Sequence, residues 1–201
     1  HADETGLKTS AAPVLFMKAT TSVIGPGDTI LLPLAGPRRV DYEAELAVII
    51  GKKGKNIDLS HAMDHVFGYT CSNDVSARDW QMERQSNQWV RGKSFDTFCP
   101  LGPVLVTRDE IPDPGKLWVR AIVNDAVLQD GNTADTIFDV AALISGVSRS
   151  LTLLPGTVIM TGTPEGVGFT RQPPVYLRDG DVVTVDIEGI GQLTNPVRNE
   201  V

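Results

Sequence analysis

Basic residues, cysteines and long apolar runs are all scarce in this chain. Eighteen Lys and Arg stand against 25 Asp and Glu in 201 residues, a formal net charge of −7. A nucleic-acid surface needs clustered cations that displace counterions from phosphates, so no nucleic-acid partner is expected. Two cysteines, Cys71 and Cys99, cannot make a disulfide framework, and both read as small buried side chains among apolar neighbours. No apolar run approaches the ~20 residues that span a bilayer, so no membrane partner is expected. A secretory signal, with its basic start, apolar stretch and small-residue cleavage site, is not evident. Repeats, low-complexity tracts and charge blocks are also missing. What remains is 41% hydrophobic and 21% charged, an ordinary composition for a globular chain long enough to bury one core. The expected compartment is reducing: cytoplasmic, or mitochondrial if the source is eukaryotic. The chain opens on His1 rather than Met, and further residues are expected upstream in the natural polypeptide.

Residues 1–40 are rich in Pro, Gly, Ser and Thr, and read as loops and short strands around the apolar runs Val14–Met17 and Thr29–Leu32. Tyr42–Ile50 is a strong strand. Asp58–His65 reads as a short helix with Asp58 or Ser60 as its N-cap. Val66–Cys71 is a second apolar strand ending at Asn73-Asp74. A helical turn is expected over 77–84, and strands over Gly102–Thr107 and Leu117–Val123. Asn124-Asp125 marks a hairpin leading into Ala126–Gln129. Asp139 caps a helix whose Val140, Leu143, Ile144, Val147 and Leu151 keep helical spacing, with Pro155-Gly156 as its end. Thr157–Met160 is a strand running into the turn Thr161-Gly162-Thr163-Pro164. Val182–Glu188 and Gln192–Val197 flank a hairpin turn at Gly189-Ile190-Gly191. Many strands with few short helices make an α+β, β-rich domain, not a βαβ repeat.

Glu43 and Glu45 are two apart on a predicted strand, so they share a face. The same face continues into Ala47 and Ile49, and the opposite face is apolar throughout. Two carboxylates on a strand buried on both faces repel each other and lose hydration, and they need a positive partner. A divalent cation satisfies both, and hard oxygen ligands favour Mg²⁺, Mn²⁺ or Ca²⁺ over zinc. The same spacing also fits two exposed acids at a strand edge. Asp74, at a strand-to-loop junction, would complete a set of three carboxylates with positions left for substrate; an Asx-type turn or helix cap is its other reading.

Cationic and polar contacts for a substrate follow closely: Arg78, Gln81, Arg91 and Lys93. Arg78 beside Asp79 also fits a surface pair. Lys93, between Trp89 and Phe95, fits an exposed head on a packed stem, or a charge that polarises an enolate. Thr161-Gly162-Thr163-Pro164 offers hydroxyl and backbone donors but lacks the lysine and spacing of a phosphate-binding loop. His1 and Glu4 have i, i+3 spacing, which would let the Glu orient the ring for water activation. His61 and His65 are i, i+4, but no third ligand motif accompanies them for zinc.

Four of these segments together resemble one family. Asp41-Tyr42-Glu43-Ala44-Glu45-Leu46-Ala47-Val48-Ile49-Ile50-Gly51 looks like the metal-binding strand of the fumarylacetoacetate hydrolase family. Phe67-Gly68-Tyr69-Thr70 with Asn73-Asp74-Val75-Ser76-Ala77-Arg78-Asp79 looks like its second metal segment. Gly92-Lys93-Ser94-Phe95-Asp96-Thr97 and Thr161-Gly162-Thr163-Pro164-Glu165-Gly166-Val167-Gly168 look like its lysine and threonine motifs. The likeness is ordered and covers nearly the whole chain. It implies a mixed β-sandwich roll over 1–201, metal ligands at Glu43, Glu45 and Asp74, and substrate contacts at Gln81, Lys93 and Thr163, with Arg78 in the matching motif. It also implies a catalytic His–Glu pair at His1 and Glu4, and a homodimer. The residues that normally precede that histidine are not in this sequence.

The reaction expected from this set is metal-dependent C–C hydrolysis of a 2,4-dioxo acid of the acylpyruvate type, through a pyruvate enolate. Oxaloacetate decarboxylation or keto–enol tautomerisation, and isomerisation of 2-hydroxyhepta-2,4-diene-1,7-dioate, use the same enolate chemistry without a hydrolytic water. A metal- and 2-oxo-acid-binding protein is the non-enzymatic alternative.

Overall fold

Alternating and doubly apolar segments build a strand-dominated fold. The computed structural model describes residues 12–35, 38–84 and 88–201. Its strands are β1 (Val23–Ile24), β2 (Ile30–Leu32), β3 (Val40–Asp41), β4 (Ala44–Ile50), β5 (Val66–Asn73), β6 (Ser76–Ala77), β7 (Cys99–Thr107), β8 (Trp118–Val123), β9 (Ala126–Asn132), β10 (Val158–Met160), β11 (Val182–Ile187) and β12 (Gly191–Asn199). They form one five-stranded sheet in the order β1-β7-β5-β4-β10, a second in the order β2-β12-β11-β8-β9, and a small β3-β6 pair. The β1–β7 and β12–β2 pairs are parallel and the rest antiparallel, so both large sheets are mixed. This is the α+β, β-rich fold that the strand pattern predicts.

The core lies between the two large sheets. Leu46, Val48 and Ile50 of β4, Tyr69 and Cys71 of β5, Ala121 of β8, Val183, Val185 and Ile187 of β11 and Leu193 of β12 are all buried within one cluster. Each such aliphatic side chain contributes about 1.5–3 kcal/mol by leaving water. β4 runs between β5 and β10, and all of its residues except Ile49 are fully buried. Its antiparallel register sets Ala44 opposite Asn73 and Glu45 opposite Ser72. That register puts Glu43 beside Asp74, whose N–H donates to the Glu43 carbonyl at 2.9 Å.

Several expected boundaries move, each for a local reason. β4 begins at Ala44, not Tyr42, because side chains replace the ladder there. The Tyr42 N–H donates to Asp41 Oδ1, and the Glu43 N–H donates to Asn73 Oδ1. The segment Leu59–His65 is a 3₁₀ helix, and neither Asp58 nor Ser60 caps it; the Asp58 side chain makes no capping bond. Val14–Met17 forms no strand; Phe16 instead packs on Trp89, with ring centroids 5.6 Å apart. β7 starts at Cys99, three residues before its expected start, and shifts register against β5. The helix Val140–Ser150 forms with Asp139 Oδ1 accepting from the Ala142 N–H, as expected, but it stops before Leu151, which is exposed. The Pro155-Gly156 turn lies beyond an isolated bridge between Leu153 and Gly54. The turn expected over 77–84 is a wide π-type helix, Asp79–Arg84. A five-residue helix, Trp89–Lys93, was not expected at all.

Among the described residues no helix is long and apolar enough to cross a membrane. Both cysteines are buried and unpaired.

Candidate metal centre

The Glu43, Glu45 and Asp74 side chains converge at the N-terminal end of β4. Each offers a carboxylate oxygen, and these atoms lie within 4.8 Å of one another. All three residues are buried, Glu43 and Glu45 at 4% exposure and Asp74 at 0%. The exposed strand-edge reading of the two glutamates is thereby overturned. β4 supplies Glu45, while Glu43 immediately precedes it and Asp74 immediately follows β5.

Positive groups surround the three acids. Lys93 Nζ sits 2.7 Å from Glu43 Oε2 and 2.6 Å from Asp74 Oδ2. Lys18 Nζ donates to Asp74 Oδ1 at 2.6 Å. Arg78 Nη2 lies 2.7 Å from Glu43 Oε1 and 2.9 Å from Asp41 Oδ2. Lys93 and Arg78 are each only 2% exposed, so neither is the surface side chain its sequence context allowed.

These neighbours split the carboxylates. Burial alone would raise the Glu43 carboxyl, but the Lys93 ammonium and Arg78 guanidinium outweigh it and hold Glu43 at about 2. Glu45 has no such ion pair among the described residues. Burial, with the Asp74 and Glu43 charges beside it, pushes Glu45 up to about 8, against the pull of Lys93 and of the Gly162 N–H. Burial would lower the Lys93 ammonium, but the Asp74 and Glu43 charges raise it above its ordinary value. A carboxyl pushed upward by burial and by two neighbouring acids marks a position still short of positive charge. Three hard oxygen donors with that deficit fit a divalent cation.

Two further elements complete the walls. The Gly162 N–H donates to Glu45 Oε2 at 2.7 Å. Gly162 has φ +99°, a conformation that glycine adopts without strain and that lets the loop turn this amide inward. Arg78 is held from every side. Its Nε donates to Asp41 Oδ2, its Nη1 to Gln81 Oε1 at 3.0 Å, and its guanidinium lies 4.4 Å over the Phe169 ring. Asp41 in turn accepts from the Gly168 and Phe169 amides. In this arrangement Arg78 clamps Glu43, and does not stand free for a ligand.

The structure therefore gathers Glu43, Glu45, Asp74 and Lys93 into one cluster, with Arg78 and Gln81 joined to it. Thr163 borders the cluster, but its hydroxyl donates to the Ala44 carbonyl. Arg91 is exposed, its guanidinium 4.5 Å over the Trp80 ring. His61 is exposed, while His65 Nδ1 lies 2.8 Å from the Lys52 carbonyl, so the two imidazoles form no zinc site. Among the described residues the acid trio is the one metal-ligand grouping of three or more. His1 and Glu4 lie outside the described residues.

Sequence reasoning missed Lys18, Asp41 and Gln129. Asp41 stands two before Glu43 in the recognised motif and could have been flagged there. Lys18 and Gln129 sit in unremarkable local sequence, and only the fold brings them near.

Residues 1–198 match the family model described as fumarylacetoacetate (FAA) hydrolase C-terminal. The chain belongs to the fumarylacetoacetate hydrolase family. It is 51% identical over 197 residues to the mitochondrial oxaloacetate tautomerase fahd2 of Xenopus laevis, covering 98% of this chain and 61% of that protein. A fumarylacetoacetate hydrolase from Exiguobacterium antarcticum superposes with a TM-score of 0.89 at 49% identity, covering 93% of this chain and 66% of that one. A 2-hydroxyhepta-2,4-diene-1,7-dioate isomerase from Mycobacterium marinum superposes with a TM-score of 0.86 at 46% identity, covering 96% of this chain and 71% of that one. The chain thus spans about three fifths of the length of the Xenopus relative. Family members of hydrolase, tautomerase and isomerase name all share this fold, so the fold does not choose among their reactions.

Proposed function

We propose that this chain is a divalent-metal-dependent tautomerase of 2-oxo dicarboxylic acids, with oxaloacetate as the representative substrate. The observation that carries the reading is the buried Glu43–Glu45–Asp74 trio with the Lys93 ammonium against it. These three carboxylates would hold Mg²⁺ or Mn²⁺, with Ca²⁺ as a poorer substitute. When bound, such an ion supplies a Lewis acid and a template for an adjacent carboxylate and oxo group.

Keto–enol tautomerisation moves one proton from C3 to the C2 oxygen and consumes no water or co-substrate. The Lys93 and Lys18 ammonium groups would meet the negative charge that develops on the enolate. Preorganised charge of this kind is commonly worth ~3 kcal/mol per donor. Gln81 accepts from Arg78 through Oε1, which leaves its amide N–H groups for a substrate carboxylate. His1 and Glu4 keep the proton-transfer role implied by the family resemblance. The 51% identity to an oxaloacetate tautomerase supports this reaction over the C–C hydrolysis expected first from the sequence. The same relative's mitochondrial name supports that compartment over a cytoplasmic one. A homodimer is part of the proposal.

Hydrolysis of an acylpyruvate is the second reading, supported by the hydrolase from Exiguobacterium antarcticum. The two separate in one assay. Purified protein with Mn²⁺ is given oxaloacetate, acetylpyruvate or fumarylpyruvate, and ultraviolet absorbance, pyruvate and CO₂ are followed with and without EDTA. Accelerated enol–keto relaxation of oxaloacetate without CO₂, abolished by EDTA, is expected. EDTA-sensitive pyruvate release from an acylpyruvate alone would replace the tautomerase reading with the hydrolase one.

A further inference from the structure

Gln129 lies on β9, in the second large sheet, yet it reaches the carboxylate strand of the first. It is 1% exposed. Its Oε1 accepts from the Ala44 N–H at 2.9 Å, and its Nε2 donates to Thr163 Oγ1 at 2.8 Å and to the Pro164 carbonyl at 2.9 Å. The chemistry of the partners fixes these directions. A backbone N–H only donates and a carbonyl only accepts, so the amide has one orientation that satisfies both. Nε2 cannot accept, so the Thr163 hydroxyl accepts from it and donates its own proton to the Ala44 carbonyl, 2.9 Å away.

The result is a closed ring: Ala44 N–H to Gln129, Gln129 to Thr163, Thr163 back to the Ala44 carbonyl. Ala44 is the residue between Glu43 and Glu45. The neighbour of Thr163, Gly162, gives its N–H to Glu45 Oε2. The ring therefore sets how far the threonine loop stands from the carboxylate strand.

We infer that Gln129 is a positioning residue of the metal centre, holding Glu45 against the Gly162 amide and the glutamate pair in register for a divalent cation. The inference rests on the reading that the acid trio holds such a cation. Groups that hydrogen-bond a metal ligand commonly change affinity by 10–100-fold when lost, and Gln129 acts on such a group, the Gly162 amide on Glu45, through the threonine loop.

The test is calorimetric titration of Mn²⁺ into metal-free wild type, Gln129→Met, Thr163→Val and the double variant, with thermal melts to establish that each is folded at the assay temperature. Gln129→Met is expected to bind Mn²⁺ at least tenfold more weakly. In the Thr163→Val background, where Gln129 keeps only its Pro164 link to the loop, the same change is expected to cost clearly less, under about fivefold. Gln129→Glu keeps the acceptor for Ala44 and loses both donors, and decides the matter by the same tenfold loss should Gln129→Met not fold. Wild-type affinity in the folded variants overturns the inference, and so do additive losses in the double variant. A wild-type protein that binds no Mn²⁺ overturns the metal-centre reading itself, and this inference with it.

Discussion

The Lys93 ammonium lies 2.6 Å from Asp74 Oδ2 and 2.7 Å from Glu43 Oε2, a positive charge set against two of the three carboxylates that would hold a cation. Removing that ammonium leaves Glu43 and Asp74 buried with less positive charge beside them. Breaking one partner of a buried ion pair costs about 3–5 kcal/mol. Lys93→Met should therefore lower the melting temperature of metal-free protein by roughly 10 °C, at 2–4 °C per kcal/mol for a chain of this size. Added Mn²⁺ should recover more of the variant's stability than of the wild type's. Equal Mn²⁺ shifts in the two proteins would count against Lys93 and the cation serving the same carboxylates.

Glu45 should make cation binding depend on pH. Its carboxyl, ordinarily near 4.5, is pushed up to about 8 by burial and by the Asp74 and Glu43 charges. A divalent ion needs the ionised form, so binding should release close to one proton below pH 8, and affinity should rise with pH until about 8. Stability of the metal-free protein runs the other way. A group whose folded pKa is raised favours the folded state fully below its unfolded value, and that contribution is lost as pH climbs through the folded value. Metal-free protein should thus lose stability between about pH 4.5 and 8 through this group, and Glu45→Gln should remove that slope. Calorimetry in buffers of different ionisation enthalpy counts the protons; none released would contradict the assignment.

Arg78 is worth testing by its geometry as well as its charge. Its guanidinium serves Asp41, Glu43 and Gln81 together and stacks on Phe169. Lysine carries the charge but cannot span those partners. Arg78→Lys should destabilise the protein by several kcal/mol, on the scale of a broken buried pair, as read by chemical denaturation. A change under about 1 kcal/mol would mean the clamp contributes little.

Gly92 tests how Lys93 is delivered. A Cβ on Gly92 would stand 2.6 Å from the Gln81 nitrogen and 2.8 Å from its Cα, both backbone atoms that cannot swing aside. The helix Trp89–Lys93 therefore packs on the turn carrying Gln81 at a separation only glycine permits. Gly92→Ala should cost about 1–3 kcal/mol by overpacking and weaken Mn²⁺ binding by displacing Lys93. Unchanged melting and binding would show that the helix can shift without consequence.

Much of this protein was legible in one dimension. The apolar run around Glu43 and Glu45 pointed to a strand with both carboxylates on one face, and a cation followed if that face was buried; an exposed strand edge fitted the same spacing until the structure showed both residues at 4% exposure. The turns at Asn124-Asp125 and at Gly189-Ile190-Gly191 were readable because positive φ belongs to few residue types, and the structure has φ of 48° and 67° at the first and 75° at Gly189. The Asp139 cap was readable because a short acceptor before an apolar helical stripe has one common use.

What stayed hidden depended on distance along the chain. Lys18 meets Asp74 across 56 residues, and Gln129 meets Ala44 across 85; no periodicity or local spacing records such partners. Nor could sequence say that Arg78 and Lys93 would be buried, since their apolar stems fit an exposed setting equally well. Residue types and short-range periodicity determined that Glu43 and Glu45 share one face of a strand, and the motif resemblance added Asp74 as the third candidate ligand. The tertiary structure decided which cations, amides and side-chain amides close around it, because buried charge is satisfied by whatever the sheets bring within about 3 Å, and that is a property of packing, not of neighbours in sequence.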